Sequence, residues 1–357
     1  MQRSLQIVIC FLLMTGGTCL GQDMHFSQFY EAPAMLNPAL TGMSNSTRGS
    51  IQYKNQWRSV TVPYSTMSGS YEMRFNTSEW EKIPNRTKFY KLATRRVSGG
   101  LSFFSDRAGD GKMGLTQVQL SVSSAVPIGN YSMMIGGMSA AVCQRGIQYS
   151  SLVFPKQYNG SGYDPGLESG EQFTAGAIIY GDFAGGLAWA YRKPESAMRK
   201  NNQFLFNIGF SVFHFNQPHY SFIGDNSEIL YSRKSLHGQL EAGFKNTNVS
   251  IVPAFSYALQ GPSQEFLAGG LVKYRLKEDT KYTGYIKGSS ISLGAYYRHR
   301  DAVIPNFLME FGSLGIGFSY DLNISELSAA SHLRGGFEVM IRYVTPSPFL
   351  YQSASRI

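Results

Sequence analysis

The chain has 357 residues, of which 14 % are aromatic and only 15 % charged, with 38 glycines and a formal net charge of +9. The length allows one large domain or two average ones. The Lys and Arg are scattered with no basic run of five, which argues against nucleic acid as a partner.

The first 21 residues predict a cleaved export signal. Arg3 gives the positive start, Ile7 to Met14 a short apolar core and Thr15 to Thr18 small residues, and cleavage after Gly21 leaves Gln22 first. Lipidation of Cys19 is the weaker alternative, because Gly16-Gly17-Thr18 lacks the branched apolar residue usual before a lipidated cysteine. Cys10 and Cys19 fall in the signal, so Cys143 is alone in the mature chain and no intramolecular disulfide forms. An exported protein without disulfides needs another constraint, and a closed hydrogen-bonded barrel is one.

Little charge, many aromatics and many glycines suit a membrane barrel with an apolar outer face, aromatic rims and tight turns. A soluble β-sandwich would usually carry more surface charge. No stretch after residue 20 runs 18 apolar residues, as expected of a chain that crosses with alternating strands. The segment 22–49 comes first and should lie at the periplasmic mouth or fold into the lumen. Strands are then predicted at 50–57, 64–75, 97–105, 115–127, 130–145, 177–192, 203–214, 235–244, 249–258, 265–275, 290–300, 303–311, 313–321 and 336–343. The expected fold is all-β: a single antiparallel transmembrane β-barrel of about fourteen strands over 50–343, with a tail at 344–357.

The alternation is clearest in three runs. Thr116, Val118, Leu120 and Val122 share one face, while Gln117, Gln119 and Ser121 share the other. Phe204, Phe206, Ile208 and Phe210 oppose Asn207, Gly209 and Ser211, and Leu314 to Tyr320 alternates bulky residues with Gly and Ser. Small or polar residues on one face suit a crowded, wet lumen. Asp110-Gly111, Gly129-Asn130 and Lys245 to Asn248 read as hairpin turns. Longer connections fall at 76–96, 146–176, 215–234 and 276–289, with 146–176 the best surface loop. Long loops are expected on one rim and short turns on the other. The stretch 322–335 could hold a short helix or folded loop.

No Gly-x-Ser-x-Gly, Walker loop, His-Glu-x-x-His or Cys-x-x-Cys is present, so no catalytic set, cofactor or metal site is predicted. His214 and His219 have no third ligand nearby in sequence and read as polar loop residues. Asp106, Asp110 and Gly111 lack the alternate-residue ligands of a calcium loop and read as a turn. Asp164, Glu168 and Glu171 are acidic loop residues with no Ser-His partner.

The sharpest motif opens the mature chain: Gln22-Asp23-Met24-His25-Phe26-Ser27-Gln28-Phe29-Tyr30, then Pro33, then Leu36-Asn37-Pro38-Ala39-Leu40-Thr41-Gly42. This resembles the opening of the PorP/SprF family of type IX secretion outer-membrane proteins. Further stretches resemble the family in order along the chain: Ser105 to Gly109; His214 to Pro218 with Ser221-Phe222; Leu293 to Arg298 with Asp301-Ala302; Ser319-Tyr320-Asp321 and Asn323; Ser325, Leu327 and Ala330-Ser331; and Gly335 to Glu338. A departure is the tail beyond Tyr343, since many outer-membrane barrels end near an aromatic residue. The resemblance implies a barrel in the outer membrane of a Gram-negative cell, in contact with its lipid. It also implies a role, without enzymatic activity, in exporting or anchoring surface proteins. Partners would be the type IX machinery, an adhesin used in gliding motility, or a periplasmic peptidoglycan-binding protein. His25, Phe26, Ser27, Gln28, Phe29, Tyr30, Asn37 and Pro38 are the candidate partner-binding or lumen-plug residues. A plug would turn its aromatics inward, whereas a docking motif would leave some exposed. The alternative function is a general channel or porin, and an outer-membrane enzyme is the third.

Overall fold

The computed structural model describes residues 23–43, 47–57, 62–75, 96–129, 131–171, 176–193, 201–222, 228–277, 288–325 and 334–345. The predicted signal peptide, most of the 76–96 connection, the centre of 322–335 and nearly all of the tail lie outside these.

Among the described residues fourteen strands form one closed barrel. Each pairs antiparallel with its neighbours in sequence, and β14 (Arg334–Val344) closes on β1 (Thr47–Gln56). The others are β2 (Tyr64–Arg74), β3 (Arg96–Ala108), β4 (Met113–Pro127), β5 (Ser132–Gly146), β6 (Ala177–Lys193), β7 (Phe204–Phe213), β8 (Arg233–Gly243), β9 (Val249–Gln260), β10 (Ser263–Lys277), β11 (Ser289–Arg298), β12 (Ala302–Phe311) and β13 (Leu314–Asn323). Every predicted strand is present, with ends displaced by at most three residues. The last strand, β14, is paired up to Val344, and its Tyr343 pairs with Gly49 of β1.

The two-residue period assigns the faces. On β4, Val118, Leu120 and Val122 are exposed, while Gln119, Ser121 and Ser123 are buried. Leu101, Leu187, Leu293 and Ile341 likewise point outward on other strands. An apolar exterior over a polar interior is the inverse of a soluble core and matches a wall that faces lipid. Among the described residues no helix is long and apolar enough to cross a membrane; the strands cross it.

Antiparallel pairing sends successive connections to opposite rims. We call the rim where β1 begins and β14 ends the terminal rim, and the other the far rim. The connections at 147–176 and 214–232 fall on the far rim, and those at 75–95 and 278–288 on the terminal rim. Long loops are therefore shared between the rims, contrary to the one-sided expectation, because the longest of them follow both odd- and even-numbered strands.

Candidate functional site: the amino-terminal segment inside the barrel

Residues 23–43 touch inward-facing groups of β1, β2, β4, β6, β7, β13 and β14, among others, which a segment can reach only from within a closed wall. The chain enters β1 at the terminal rim, while Asp23 stands beside Gln260 and His214, at far-rim strand ends. The segment thus traverses the lumen. It contains three short helical turns, Phe29–Glu31, Pro33–Leu36 and Pro38–Leu40. The prolines are tolerated because each starts a turn, where its missing N–H would have no partner.

At the far rim, Asp23 and Gln260 bond reciprocally: the Asp23 N–H donates to Gln260 Oε1 (2.8 Å), and Gln260 Nε2 donates to Asp23 Oδ1 (3.1 Å). His214 Nε2 lies 2.6 Å from Asp23 Oδ2, and its Nδ1 lies 2.8 Å from Asp182 Oδ1. Burial alone would raise the Asp23 carboxyl and lower the His214 imidazole. The pairing reverses both, so Asp23 is held well below the usual carboxylate range and His214 is pushed up to about 9. His214 is therefore a buried charge partner, not the free loop residue that the sequence suggests, and His219 lies apart, bridged to Ile229. Sequence spacing could not show the two carboxylates, which lie 191 and 32 positions away by subtraction (214 − 23 and 214 − 182).

Ser27 and Gln28 meet the densest cluster. Their backbone N–H groups donate to the two oxygens of Glu338, at 2.8 and 3.0 Å. Ser27 Oγ donates to Asp321 Oδ1 (2.9 Å) and accepts from Arg298 Nη2 (2.8 Å) and Lys54 Nζ (3.3 Å). Lys54 is fully buried and also donates to the His25 carbonyl, 3.0 Å away. His25 Nδ1 stands 2.8 Å from Glu265; burial still pushes its imidazole below the usual value. Cations and carboxylates face each other throughout, which is the condition for keeping charge inside at all.

Nearer the terminal rim, Glu31 is gripped by two arginines, Arg48 Nη2 at 2.8 Å and Arg342 Nη1 at 2.7 Å. Thr41 Oγ1 donates to Ser121 Oγ, and the Gly42 N–H donates to Glu72.

Asn37 relies mainly on backbone. Its Nδ2 donates to the carbonyls of Leu187 (3.1 Å) and Phe210 (3.2 Å), partners across β6 and β7, and lies 3.1 Å from His237 Nε2 on β8. Its Oδ1 accepts from Ala39 N–H (2.9 Å). This contact requires a wall without side chains: a Cβ on Gly186 would lie 2.0 Å from Asn37 Oδ1, and one on Gly137 2.5 Å from Ala39 N.

The apolar residues turn inward. Phe26 and Phe29 are 5 % and 8 % exposed. Phe29 packs edge-on against Tyr30 and Tyr296 and joins a cluster with Leu267 and Ile304. Pro38 is buried, and Ala39 and Leu40 pack against Met133 and Ile135. The eight predicted site residues are thus brought together in one interior strip. Not predicted as site residues were Asp23, Glu31, Lys54, Arg298, Asp321 and Glu338, although charge on the Gly/Ser face of a strand was a usable signal.

Four of the stretches singled out along the sequence converge here: His214 on Asp23, Arg298 and Asp321 on Ser27, and Glu338 on Ser27 and Gln28. The family model for the type IX secretion system membrane protein PorP/SprF matches residues 18–343. The chain belongs to the PorP/SprF family. A PorP/SprF chain folded as a closed barrel with an apolar exterior is an outer-membrane component of the type IX secretion system. Family and fold are those of a secretion or transport protein. Among curated proteins none is similar enough to count as a relative. Similar solved structures include the toluene transporter TbuX of Ralstonia pickettii, at 10 % identity and TM-score 0.48, covering 90 % of this chain and 95 % of that one. The monoaromatic hydrocarbon channel CymD gives 13 % and 0.45 over 92 % and 95 %. BamA of Haemophilus ducreyi gives 9 % and 0.39 over 84 % and 70 %.

Proposed function

We propose that this PorP/SprF protein acts by protein contacts at its two rims, with residues 23–43 serving as a fixed plug of the lumen. The observation that carries the reading is the anchoring of that segment at three levels, by Asp23 to His214, Ser27 to Asp321 and Glu338, and Glu31 to Arg48 and Arg342. An interior filled and cross-linked in this way suits a closed resting barrel better than a porin, whose lumen is water-filled. The terminal rim faces the periplasm and meets the secretion machinery or a peptidoglycan-binding protein. The far rim faces outward and meets the exported or surface-anchored adhesin, for which the exposed Val153, Tyr158 and Tyr163 offer apolar contact.

The test combines two measurements on protein from outer membranes. Mild-detergent capture with mass spectrometry should recover type IX machinery or a very large surface protein. In planar bilayers the intact barrel should be silent, and deletion of residues 23–43 should produce ion conductance. A barrel recovered alone that conducts when intact would leave a porin.

A further inference from the structure

A cavity of about 780 Å³ opens at the far rim above the amino-terminal segment. Its floor is formed by Met24, Phe26 and Leu36, and its walls include Phe104, Leu115 and Phe222. The volume lies in the range of pockets that enclose small organic molecules, which are mostly apolar with a few placed polar groups.

Several of the charges facing it are matched: Asp23, His214 and Arg233 neutralise one another and His25 faces Glu265, while Asp106 is hydrogen-bonded rather than ion-paired, accepting from Thr66 Oγ1 at 2.7 Å. Glu228 sits on the exposed lip. Arg145 is different. Its guanidinium carbon lies 4.4 Å from the Tyr220 ring centre and 5.5 Å from that of Phe222, and among the described residues Nη2 reaches only Met113 Sδ, at 3.6 Å. Among the described residues no carboxylate lies within ion-pair distance of it. The two rings, which belong to the β7–β8 connection, fix the cation at the wall. Among the described residues nothing anionic occupies its planar donor fork, which can take an anion.

We propose that this vestibule binds a single-chain carboxylate amphiphile, with the carboxylate on Arg145 and the hydrocarbon or aryl body between the amino-terminal segment and Phe104, Leu115 and Phe222. One guanidinium matches one monoanion; a doubly charged phosphate would bring an excess negative charge into the site. The proposal goes beyond the secretion reading and holds whether or not the segment blocks conduction.

The probe is dodecanoate, titrated by calorimetry into the full mature protein in phosphatidylcholine nanodiscs, with empty nanodiscs subtracted. Saturable binding at one site is expected. Arg145→Gln should weaken it about tenfold or more, the loss of one charge-assisted contact. Dodecanol should bind wild type about as weakly as dodecanoate binds R145Q. Leu115→Trp, which fills the wall, should reduce both ligands and leaves a second handle if R145Q does not fold by heat-modifiable mobility. Uptake equal to that of empty nanodiscs, or equal affinity in wild type and R145Q, would overturn the proposal.

Discussion

Replacing Asn37 by Ala tests whether the segment is held by specific bonds or merely sequestered. The side chain is fully buried; its Nδ2 donates to wall carbonyls at 3.1 and 3.2 Å and lies 3.1 Å from His237 Nε2, and its Oδ1 accepts from the Ala39 N–H at 2.9 Å. At about 0.5–1.5 kcal/mol net per bond, the three bonds to backbone contribute roughly 2–4 kcal/mol to docking. Amide exchange across residues 27–42, measured by mass spectrometry in nanodiscs, should therefore quicken by roughly 30- to 1,000-fold. Exchange in the strands should not change. The wall offers a matched perturbation. Gly186→Ala places a methyl group 2.0 Å from Asn37 Oδ1, so it should undock the same residues. In the N37A background that obstruction is gone, and the nearest remaining atom is the Phe210 carbonyl oxygen at 3.1 Å. The second substitution should then cost little, giving strong non-additivity between two contacting groups. Unchanged exchange in N37A, or simple addition in the double mutant, would refute the bonding scheme.

The other predictions use the same readouts. Glu31→Ala leaves Arg48 without its carboxylate and Arg342 with Glu310 alone, at a site where the Glu31 side chain is only 2 % exposed, and should cost about 3–5 kcal/mol of docking, seen as faster exchange at 30–36. His214 is raised from 6.5 to about 9, so its contribution is complete below pH 6.5 and is lost as pH rises through 9. Asp23 is lowered from 3.8, so its contribution is present above that value and is lost as pH falls below it. Exchange at 23–26 should accordingly quicken by pH 10 while 37–42 stays protected, and His214→Phe should abolish that alkaline step. On the outer face, Leu120→Arg near the middle of β4 should cost about 2–4 kcal/mol of barrel stability in vesicles, measured by urea titration.

The barrel was legible because a wall between lipid and a polar lumen writes itself into the sequence every second residue. The pattern that puts Gln119 and Ser121 inside and Leu120 outside is local, and strand ends follow from where it stops. The site was legible only on the segment itself. Ser27 meets Glu338 across 311 positions and Asp321 across 294, and no periodicity encodes such distances. Those partners stood inside stretches already singled out by resemblance, yet nothing local said that they turn toward the amino terminus. Glycines 137 and 186 were equally opaque, because a residue without a side chain shows only the absence that Asn37 and Ala39 fill.

The distribution of the anchors bears on how the segment could ever leave. Asp23, Ser27 and Glu31 are four residues apart, yet each is held by a different set of strands: Asp23 by His214 just after β7 and by Gln260 of β9, Ser27 by β1, β11, β13 and β14, and Glu31 by β1 and β14. Releasing the far-rim end frees Asp23 alone, because Glu338 and Asp321 still grip Ser27 from the wall. Withdrawal from the terminal rim must instead break the Glu31 pairs and then the Ser27 cluster, and each step strands buried charges on the wall. A bound partner can shift such an equilibrium only by the difference in its affinity for the two states. A partner touching the far-rim loops alone therefore has leverage on Asp23 and His214 but little on the deeper anchors. Opening of the whole lumen would require contacts that replace the carboxylate clamp of Glu338. A protein partner confined to the far-rim loops should thus alter exchange at 23–26 without altering it at 27–42.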